Sequence, residues 1–372
     1  MHALIRHQQE YPQCKRYMCE LLRHEAIPTP LLSPVLEKST LLARNNRHEI
    51  YRSNDGKQLI KLRPDVDPNK QLITIQHYEP NFGNAEALLG LFHKPNSSKP
   101  VVNFTRHLIK QFIKLIHTLH LSGWYHNDIK PANILICPLN EKAWKPFQST
   151  SEAIFNYQKQ QAQSLDSTKP YCLFTHSLLT LDNDHDPLSI DEKNCRDKLI
   201  KIILLKQQYR LKLCDFEFAS ESAVRDKVYG TPVYLSPHQL DCYETKSCIT
   251  SNNPSCDLYS LGIIILKVLA FSDWMTYEKL LSRSENSFER NGTIVELKMK
   301  VQNKVKHASL IKLVTLCMEL TSSDPSARLS AFMQYHTKYS SRLLNKLCCC
   351  IKNHNRPLYA SPLLETKSTN SL

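Results

Sequence analysis

A short stretch in the first half of the chain carries three polar side chains that suit phosphoryl transfer. Asp128 is followed two residues later by Lys130 and five residues later by Asn133. A carboxylate can orient an attacking hydroxyl, a lysine can neutralise a moving phosphoryl group, and an amide oxygen can hold a metal ion. The apolar strand predicted over Ile134–Ile136 would hold the loop rigid. The stretch predicts a site in which positioning and charge compensation do most of the chemistry.

Four further motifs follow this stretch in order, and the set resembles one protein family. The motifs are Cys214–Glu217, Gly230–His238, Asp257–Gly262 and Asp324–Arg328. Together with His126–Asn133 they resemble the eukaryotic-type protein kinase family, whose catalytic loop reads H-R-D-L-x-x-x-N and whose metal-binding motif reads D-F-G. Several ordered motifs make the resemblance specific, whereas any one of them alone is a weak signal.

The resemblance implies an α+β, protein kinase-like two-lobed fold and a set of site residues. A small β-rich N-lobe is expected over residues 1–80 and a larger, mostly helical C-lobe over residues 81–346. The implied cofactors are ATP and Mg²⁺ or Mn²⁺, and the implied acceptors are Ser/Thr hydroxyls of protein substrates. The implied catalytic residues are Asp128, Lys130, Asn133 and Asp215, of which Asn133 and Asp215 are the implied metal ligands. The implied nucleotide-binding residues are Lys61, His77, Tyr78, Glu79, Lys130 and Leu135.

The expected small lobe begins with a β-meander over residues 39–63. Asn54–Gly56 is typical of a tight hairpin turn, which fixes the register of the strand that follows. Side chains alternate along a strand, so Leu59 and Lys61 share one face. The resemblance implies that this face meets the nucleotide, with Lys61 at the phosphates and Leu59 near the base.

Two features of this lobe depart from the family pattern. Ala43–Arg47 replaces the Gly-rich loop that covers the phosphates, so Arg44 or Arg47 is the alternative phosphate ligand to Lys61. The next predicted strand, Gln71–Glu79, follows so soon that little chain remains for the helix whose Glu pairs with the lysine. The partner of Lys61 therefore stays open among three residues or none: Glu10, Glu20 and Glu217.

Three substitutions within the motifs bear on regulation and on the metal site. Asn127 replaces the Arg that grips a phosphorylated activation loop, so activation by loop phosphorylation is not expected. Thr231 is expected to bond the predicted catalytic Asp and Lys. His238 replaces the Glu that pairs with Arg328, so the large lobe must be braced in another way. Glu217 replaces Gly, and it could bind a second cation, pair with the nucleotide lysine or repel phosphates.

Periodicity and composition place the remaining elements. Apolar residues at helical spacing from Phe104 to Leu119 predict a long helix that ends at Gly123, and a shorter helix is predicted over residues 13–25. The apolar run Leu258–Phe271 is too short to span a bilayer and is interrupted by a lysine, so it predicts a buried helix. Residues 138–206 are an insertion relative to the family, and their acidic run at residues 182–186 is expected to be a solvated loop and not a calcium site.

Charge and cysteine content indicate the class of partner and the compartment. The 372 residues carry a formal net charge of +13, which favours an anionic lipid surface or an inositol polyphosphate as a partner beside the protein substrate. A nucleic-acid partner is not predicted. The 13 cysteines show no disulfide or zinc spacing, and no signal peptide is evident, so a cytoplasmic protein is expected. Association with a membrane and delivery to a host cytosol are the alternatives. Acylation of Cys348–Cys350 is a further hypothesis for the predicted disordered tail, residues 347–372.

Three functions compete at this point. The first is an active, divergent Ser/Thr protein kinase, because all four predicted catalytic residues are present. The second is a pseudokinase that acts as a binding scaffold, because the Gly-rich loop is missing and Glu217 adds negative charge. The third is a kinase-fold enzyme that phosphorylates a small molecule or lipid, although such relatives usually lack a Gly-Thr-Pro segment like Gly230–Pro232.

Overall fold

The computed structural model of the chain divides into a strand-rich part followed by a helix-rich part. The residues it describes are 25–28, 37, 39–44, 49–53, 58–64, 70–77, 81–90, 99–150, 152, 190–221, 224–225, 228–245, 250–251, 254–270, 273–284 and 287–336. Among these residues, strands predominate before residue 78 and helices predominate after it. The α+β class predicted from the sequence is therefore confirmed.

The strand-rich part is one antiparallel sheet. Its strands are β1 (Glu25–Pro28), β2 (Ser39–Arg44), β3 (Glu49–Ser53), β4 (Gln58–Pro64) and β5 (Lys70–His77). Their order across the sheet is β1-β5-β4-β3-β2, so β4 lies at the centre. The predicted meander and the strand after it are confirmed. The sequence did not predict β1, which pairs with β5 at the sheet edge. The helix predicted over residues 13–25 lies outside the described residues except for residue 25, which is the first residue of β1.

The central strand β4 has one buried face and one partly open face. Ile60 and Leu62 are each 2% exposed and lie in the core. Lys61 and Arg63 alternate with them and lie on the opposite face, where both side chains are partly exposed. Lys61 is opposite Ile50 on β3 and Thr74 on β5, so two strands fix its position. The Asn54–Gly56 turn and the side chain of Leu59 lie outside the described residues.

Two helices lead from the sheet to the predicted catalytic loop. α1 (Ala85–Gly90) is short, whereas α2 (Lys99–Leu121) is long and amphipathic. Leu108, Phe112 and Ile116 line the buried face of α2, each at 1% exposure or less. The chain leaves α2 through Gly123, whose φ of 84° is left-handed and easiest for glycine. The helix predicted from residues 104–119 is confirmed.

Part of the predicted insertion belongs to the core. It contains α3 (Glu141–Trp144) and α4 (Ile190–Leu205). α4 packs on α2, and Ile200 and Leu204 are fully buried. The end of the insertion is therefore a structural helix and not a surface turn, because its apolar residues find a helix face to cover. The acidic run at residues 182–186 lies outside the described residues.

The remaining helices enclose one buried helix. They are α5 (Pro237–Thr245), α6 (Pro254–Ala270), α7 (Trp274–Arg283), α8 (Ser287–Lys304), α9 (Ala308–Leu320) and α10 (residues 325–336). α6 packs against α2, α8 and α9, and its residues from Ser255 to Ala270 are all buried. The predicted buried helix is confirmed. Of the helices in the described ranges, none is long and apolar enough to cross a membrane.

Candidate active site

Asp257, at the start of the buried helix α6, anchors the predicted catalytic loop. Its side chain is 2% exposed and accepts hydrogen bonds from the backbone N–H groups of His126 at 2.8 Å and Asn127 at 2.9 Å. His120, at the end of α2, lies 3.0 Å from the same carboxylate. Burial alone would raise the pKa of Asp257, but the hydrogen bond and charge of His120 and the His126 N–H lower it below its ordinary value. The carboxylate therefore stays ionised and fixes the loop backbone.

The predicted catalytic residues of this loop form one hydrogen-bonded group. Asp128 is 5% exposed, and its Oδ2 accepts from Lys130 Nζ at 2.8 Å and from Asn133 Nδ2 at 3.1 Å. Its Oδ1 accepts from Thr231 Oγ1 at 2.9 Å, and Lys130 Nζ also donates to Thr231 Oγ1 at 2.8 Å. The contacts predicted for Thr231 are confirmed. Each oxygen of Asp128 thus has a fixed direction, as a residue that orients a hydroxyl requires.

Gly230 allows Thr231 to approach this group. Its φ of 123° is strained for other residues, and an added Cβ would lie 2.8 Å from the Asn127 carbonyl oxygen. Any larger residue would push the segment away from the loop. The glycine of the Gly-Thr-Pro motif is therefore a steric requirement of the site.

A two-stranded ribbon brings the two predicted metal ligands together. β6 (Ile134–Pro138) starts directly after Asn133, and its antiparallel partner β7 (Tyr209–Leu213) ends just before Cys214 and Asp215. The start of one antiparallel strand lies beside the end of the other, and the Cys214 N–H donates to the Asn133 carbonyl at 3.0 Å. Asp215 adopts a left-handed conformation, with φ 60° and ψ 61°, which is uncommon outside glycine.

Lys61 reaches this segment from the sheet. Its Nζ lies 2.8 Å from Asp215 Oδ1 and 3.0 Å from Glu217 Oε2, and Arg63 Nη1 lies 2.7 Å from Glu217 Oε1. Burial would raise the pKa of both carboxyls, but Lys61 outweighs it, with Arg63 also acting on Glu217, and both pKa values are lowered. Two cations and two carboxylates thus join the sheet to the predicted metal site.

The oxygen atoms that remain fit a hard divalent cation. Asn133 directs its amide nitrogen at Asp128, with bonds of 2.9 Å to the backbone oxygen and 3.1 Å to the side chain, which leaves its Oδ1 for another partner. Asp215 uses Oδ1 for Lys61, which leaves Oδ2. Carboxylate and amide oxygens are the ligands that Mg²⁺ and Mn²⁺ prefer, usually completed by phosphate oxygens and water. The described residues contain no cluster of three or more His, Cys, Asp or Glu side chains suited to a metal, so a cation here would depend on such added ligands.

Comparison with known proteins agrees with this geometry. Residues 198–340 match the family model described as the protein kinase domain. This region of the chain is therefore similar to the protein kinase domain. A comparison with curated proteins gives no match. The matched range includes Asp215, Thr231 and Asp257, whereas Lys61 and the loop at residues 126–133 precede it. The phosphoryl-transfer chemistry predicted from the loop is therefore supported from the other half of the site.

The predicted adenine-binding residues of this protein are only partly described. His77 is the last residue of β5, where it pairs with Gln58, while Tyr78 and Glu79 lie outside the described residues. Leu135 lies on β6, and its backbone bridges to Asn84, which directly precedes α1. It is thus close in the fold to the chain that leaves the sheet. Arg44 is described only as the end of β2, and Arg47 lies outside the description.

The structure distinguishes among the glutamates that could pair with Lys61. Glu10 and Glu20 lie outside the described residues. Glu86 lies on α1, the helix after the sheet, and contacts the buried Lys267 of α6. Glu217 contacts Lys61 directly. The interpretation in which Glu217 pairs with the lysine therefore has geometric support.

The substituted motif residues are held in ways that the sequence left open. The Asn127 amide donates to the Phe218 carbonyl at 2.8 Å and to the Tyr125 carbonyl at 3.2 Å. His238 is exposed on α5, whereas Arg328 is 1% exposed and donates to the carbonyls of Ser255 and Ser322. Backbone carbonyls thus take the role that a glutamate has in the family.

Sequence reasoning missed two arginines near the candidate site. Arg290 on α8 is 1% exposed and donates to three carbonyls after Thr231, those of Pro232, Val233 and Leu235. Nothing in the helix sequence marks it. Arg63 had a usable signal, since alternation along β4 places it on the face of Lys61. Both arginines brace the segment between Asp215 and α5.

Proposed function

We propose that this kinase transfers the γ-phosphoryl group of ATP to serine and threonine hydroxyls of protein substrates. The observation that carries the proposal is the hydrogen-bonded group of Asp128, Lys130, Asn133 and Thr231, with all four bonds that reach Asp128 Oδ atoms or Thr231 Oγ1 between 2.8 and 3.1 Å. Two features resemble those of Ser/Thr kinases: a lysine, Lys130, two residues after the aspartate, and a threonine, Thr231, that contacts both.

In the proposed reaction, Asp128 accepts a hydrogen bond from the substrate hydroxyl and takes its proton as the oxygen attacks the γ-phosphorus. The bond from the γ-phosphorus to the bridging oxygen breaks, and ADP leaves. Lys130, whose side chain is 24% exposed, faces the transferred group and compensates its charge. Mg²⁺ or Mn²⁺, when bound, would supply positive charge that offsets the negative charge of the phosphates. Asn133 and Asp215 would hold that cation.

The nucleotide is proposed to lie between the sheet and the helical part, which would act as the two lobes of residues 1–80 and 81–346. Lys61 would contact the α- and β-phosphates. His77, Tyr78 and Glu79 would line the adenine edge with their backbone, and Leu135 would pack below the base. The ends of β5 and β6 and the position of Lys61 on β4 support this placement.

Transfer from radiolabelled ATP tests the proposal. The full chain is incubated with a mixed protein substrate in Mg²⁺ and, separately, in Mn²⁺, and the phosphorylated residues are identified by mass spectrometry. Asp128→Ala is expected to abolish phosphoserine and phosphothreonine formation. Asp241→Ala, which removes an exposed carboxylate from α5, is the matched control and should keep full activity. Equal transfer by Asp128→Ala and the unchanged chain would refute the proposal.

A pseudokinase scaffold is the second candidate, and one observation favours it. Glu217 places a second carboxylate beside Asp215, and Lys61 is engaged by both. Extra negative charge opposes phosphate binding, so a scaffold would bind nucleotide weakly or not at all. Binding of a fluorescent ATP analogue with and without metal separates the two functions. Phosphorylation of a small molecule or lipid is the third candidate and would appear as labelled product in the absence of protein acceptor.

A basic face of α4 supports an anionic partner in addition to the protein substrate. Lys198 and Lys201 are exposed there around Leu199 and Ile202, which are 40% and 39% exposed, and Lys206, directly after the helix, is also exposed. Lysines beside exposed apolar side chains suit binding to an anionic membrane surface. Inositol polyphosphates are soluble molecules that carry the same kind of phosphate groups. Flotation with liposomes that contain phosphoinositides should recover the protein at low salt and lose it at high salt. Lys198→Glu with Lys201→Glu should prevent recovery, whereas Lys312→Glu on α9 should not.

A further inference from the structure

The chain between β4 and β5 contains only residues 65–69, because β4 ends at Pro64 and β5 begins at Lys70. The resemblance implies a helix at this place whose Glu pairs with the lysine, and so short a stretch leaves little room for it. A lysine that grips phosphates must nevertheless be held in one direction, because it loses side-chain freedom when it binds. In the structure, the carboxylates that contact Lys61 are those of Asp215 and Glu217, which follow β7.

We propose that Glu217 is the positioning residue of Lys61, and that Arg63 positions Glu217 in turn. The inference rests on the proposed function, since it names the residue that orients the phosphate-binding lysine of that reaction. Glu217 Oε2 lies 3.0 Å from Lys61 Nζ, and Glu217 Oε1 lies 2.7 Å from Arg63 Nη1. Each oxygen of the carboxylate thus binds a different cation of β4.

The local geometry makes this arrangement rigid. Lys61 and Arg63 are two residues apart on one strand, so their side chains leave the same face of the sheet. Phe216–Phe218 forms a single 3-10 turn directly after Asp215, which turns Glu217 towards that face. A carboxylate that bridges two neighbouring cations has little freedom to rotate. Its side chain is 22% exposed, so the pairs are partly shielded from water and stronger than fully exposed ones.

The bridge would keep Lys61 in place while Asp215 changes partner. Lys61 contacts both Asp215 and Glu217 in the structure. An aspartate that turns to a divalent cation gives up its contact with the lysine. Glu217 would then retain the ammonium group beside the phosphates. Arg63 also supplies a second positive charge, which offsets the negative charge that Glu217 would otherwise add near the phosphates.

The role of Glu217 as a second metal ligand fits the contacts less well. Both of its oxygens lie within 3.0 Å of a cationic nitrogen, so a metal ion would have to displace Lys61 or Arg63. The same segment is held from the other side by the Asn127 amide on the Phe218 carbonyl and by the backbone pair of Tyr125 and Ser220. The turn is therefore fixed between the sheet and the catalytic loop without a phosphate group.

Steady-state kinetics of matched variants test the positioning role. Glu217→Gln should lower kcat about 10²-fold, the size expected for a misplaced catalytic contact, with a smaller change in KM for the protein substrate. Glu217→Asp should recover part of the loss because it keeps the charge. Glu221→Gln, which neutralises an exposed acid of the same segment, should leave kcat unchanged. Unchanged kcat in Glu217→Gln would overturn the inference.

A double-mutant cycle on thermal stability separates this inference from the proposed function, because it needs no activity. Lys61→Met and Glu217→Gln should each lower the melting temperature. The melting temperature of the double variant should fall by clearly less than the sum of the two single decreases. A second cycle with Arg63→Met and Glu217→Gln should show the same coupling. If the chain proves inactive while both cycles are coupled, only the proposed function fails. If the losses simply add in the first cycle, Glu217 does not hold Lys61 and the inference fails.

Discussion

The catalytic loop and the strand that carries Lys61 are held in place by different kinds of contact. Asp257 is 2% exposed and fixes the loop through two backbone N–H groups. Lys61 and Glu217, by contrast, are 19% and 22% exposed and meet through a side-chain ion pair. The loop is thus fixed by buried bonds to its backbone, while the lysine side of the site is fixed by charges near solvent.

This difference suggests a division of tasks within the site. Buried bonds to backbone groups have one geometry and are screened little by salt, which suits the residues that orient a reacting hydroxyl. Ion pairs between long side chains can exchange partners, which suits a lysine that must accept a nucleotide and release it. We call the Lys61 side of the site, where ion pairs can exchange partners, the exchangeable side. The departures from the family pattern, at residues 43–47 and at Glu217, lie on this side.

The largest expected effect comes from removing the residue at which the two regions meet. Asp215→Ala deletes a predicted metal ligand and one partner of Lys61, so metal-dependent transfer should fall at least about 10³-fold. Circular dichroism and the melting curve should remain those of a folded protein, since the side chain of Asp215 is 36% exposed. Transfer is measured across a Mg²⁺ and Mn²⁺ series. Turnover equal to the unchanged chain at matched metal would remove Asp215 from the site.

The next effect tests whether the exchangeable side grips the phosphates through Lys61. Lys61→Met keeps much of the apolar stem but loses the charge, so transfer should fall by about 10²-fold with little loss of fold. The rival arrangement assigns the phosphates to Arg44 or Arg47. In that case Lys61→Met would be nearly silent, and Arg44→Met or Arg47→Met would be severe. Nucleotide affinity and kcat of the three variants, measured side by side, decide between the two arrangements.

The two regions also differ in how far the sequence could predict them. The loop follows a spaced motif, so the sequence could predict that Asp128, Lys130 and Asn133 lie together, and the contacts predicted for Thr231 are confirmed. The long helix α2 and the buried helix α6 were predicted because their apolar patterns are strong. For the partner of Lys61, the sequence could offer only alternatives. Its contact with Glu217 spans 156 residues of sequence and depends on how the sheet packs against the turn after Asp215.

Elements that depend on tertiary packing were missed for the same reason. β1 is short and stable only through its pairing with β5. α4 lies within a region predicted as an insertion, and its core contacts with α2 exist only in the folded chain. Arg290 binds carbonyls from another segment, which no periodic pattern encodes.

A smaller effect is expected at acid pH. The folded pKa values of Asp215 and Glu217 lie below their ordinary values of 3.8 and 4.5, so their ion pairs stabilise the fold above those values. This stability is lost as the pH falls through the lowered folded values. Lys61→Met should make the stability of the fold less sensitive to acid, because the pKa values of Asp215 and Glu217 then move upwards towards their ordinary values. Melting temperatures from pH 7 to pH 3 should converge for the variant and the unchanged chain. Asp257 titrates in both proteins and cancels in the comparison.

The smallest expected effect concerns phosphorylation of the segment between Ser220 and Thr231. Asn127 occupies the position from which an arginine would bind a loop phosphate, and its amide instead bonds the Phe218 carbonyl at 2.8 Å. An amide cannot supply the bidentate, charged contact that a phosphate needs. The turn before this segment is already fixed by Asn127 at the Phe218 carbonyl and by the ion pairs of Glu217 with Lys61 and Arg63, so kinase activity should be unchanged after phosphatase treatment. Heat-inactivated phosphatase is the control, and mass spectrometry confirms removal of phosphate. A large loss that rephosphorylation between Ser220 and Thr231 restores would mean that neither contact is sufficient, and that the exchangeable side is switched by a modification.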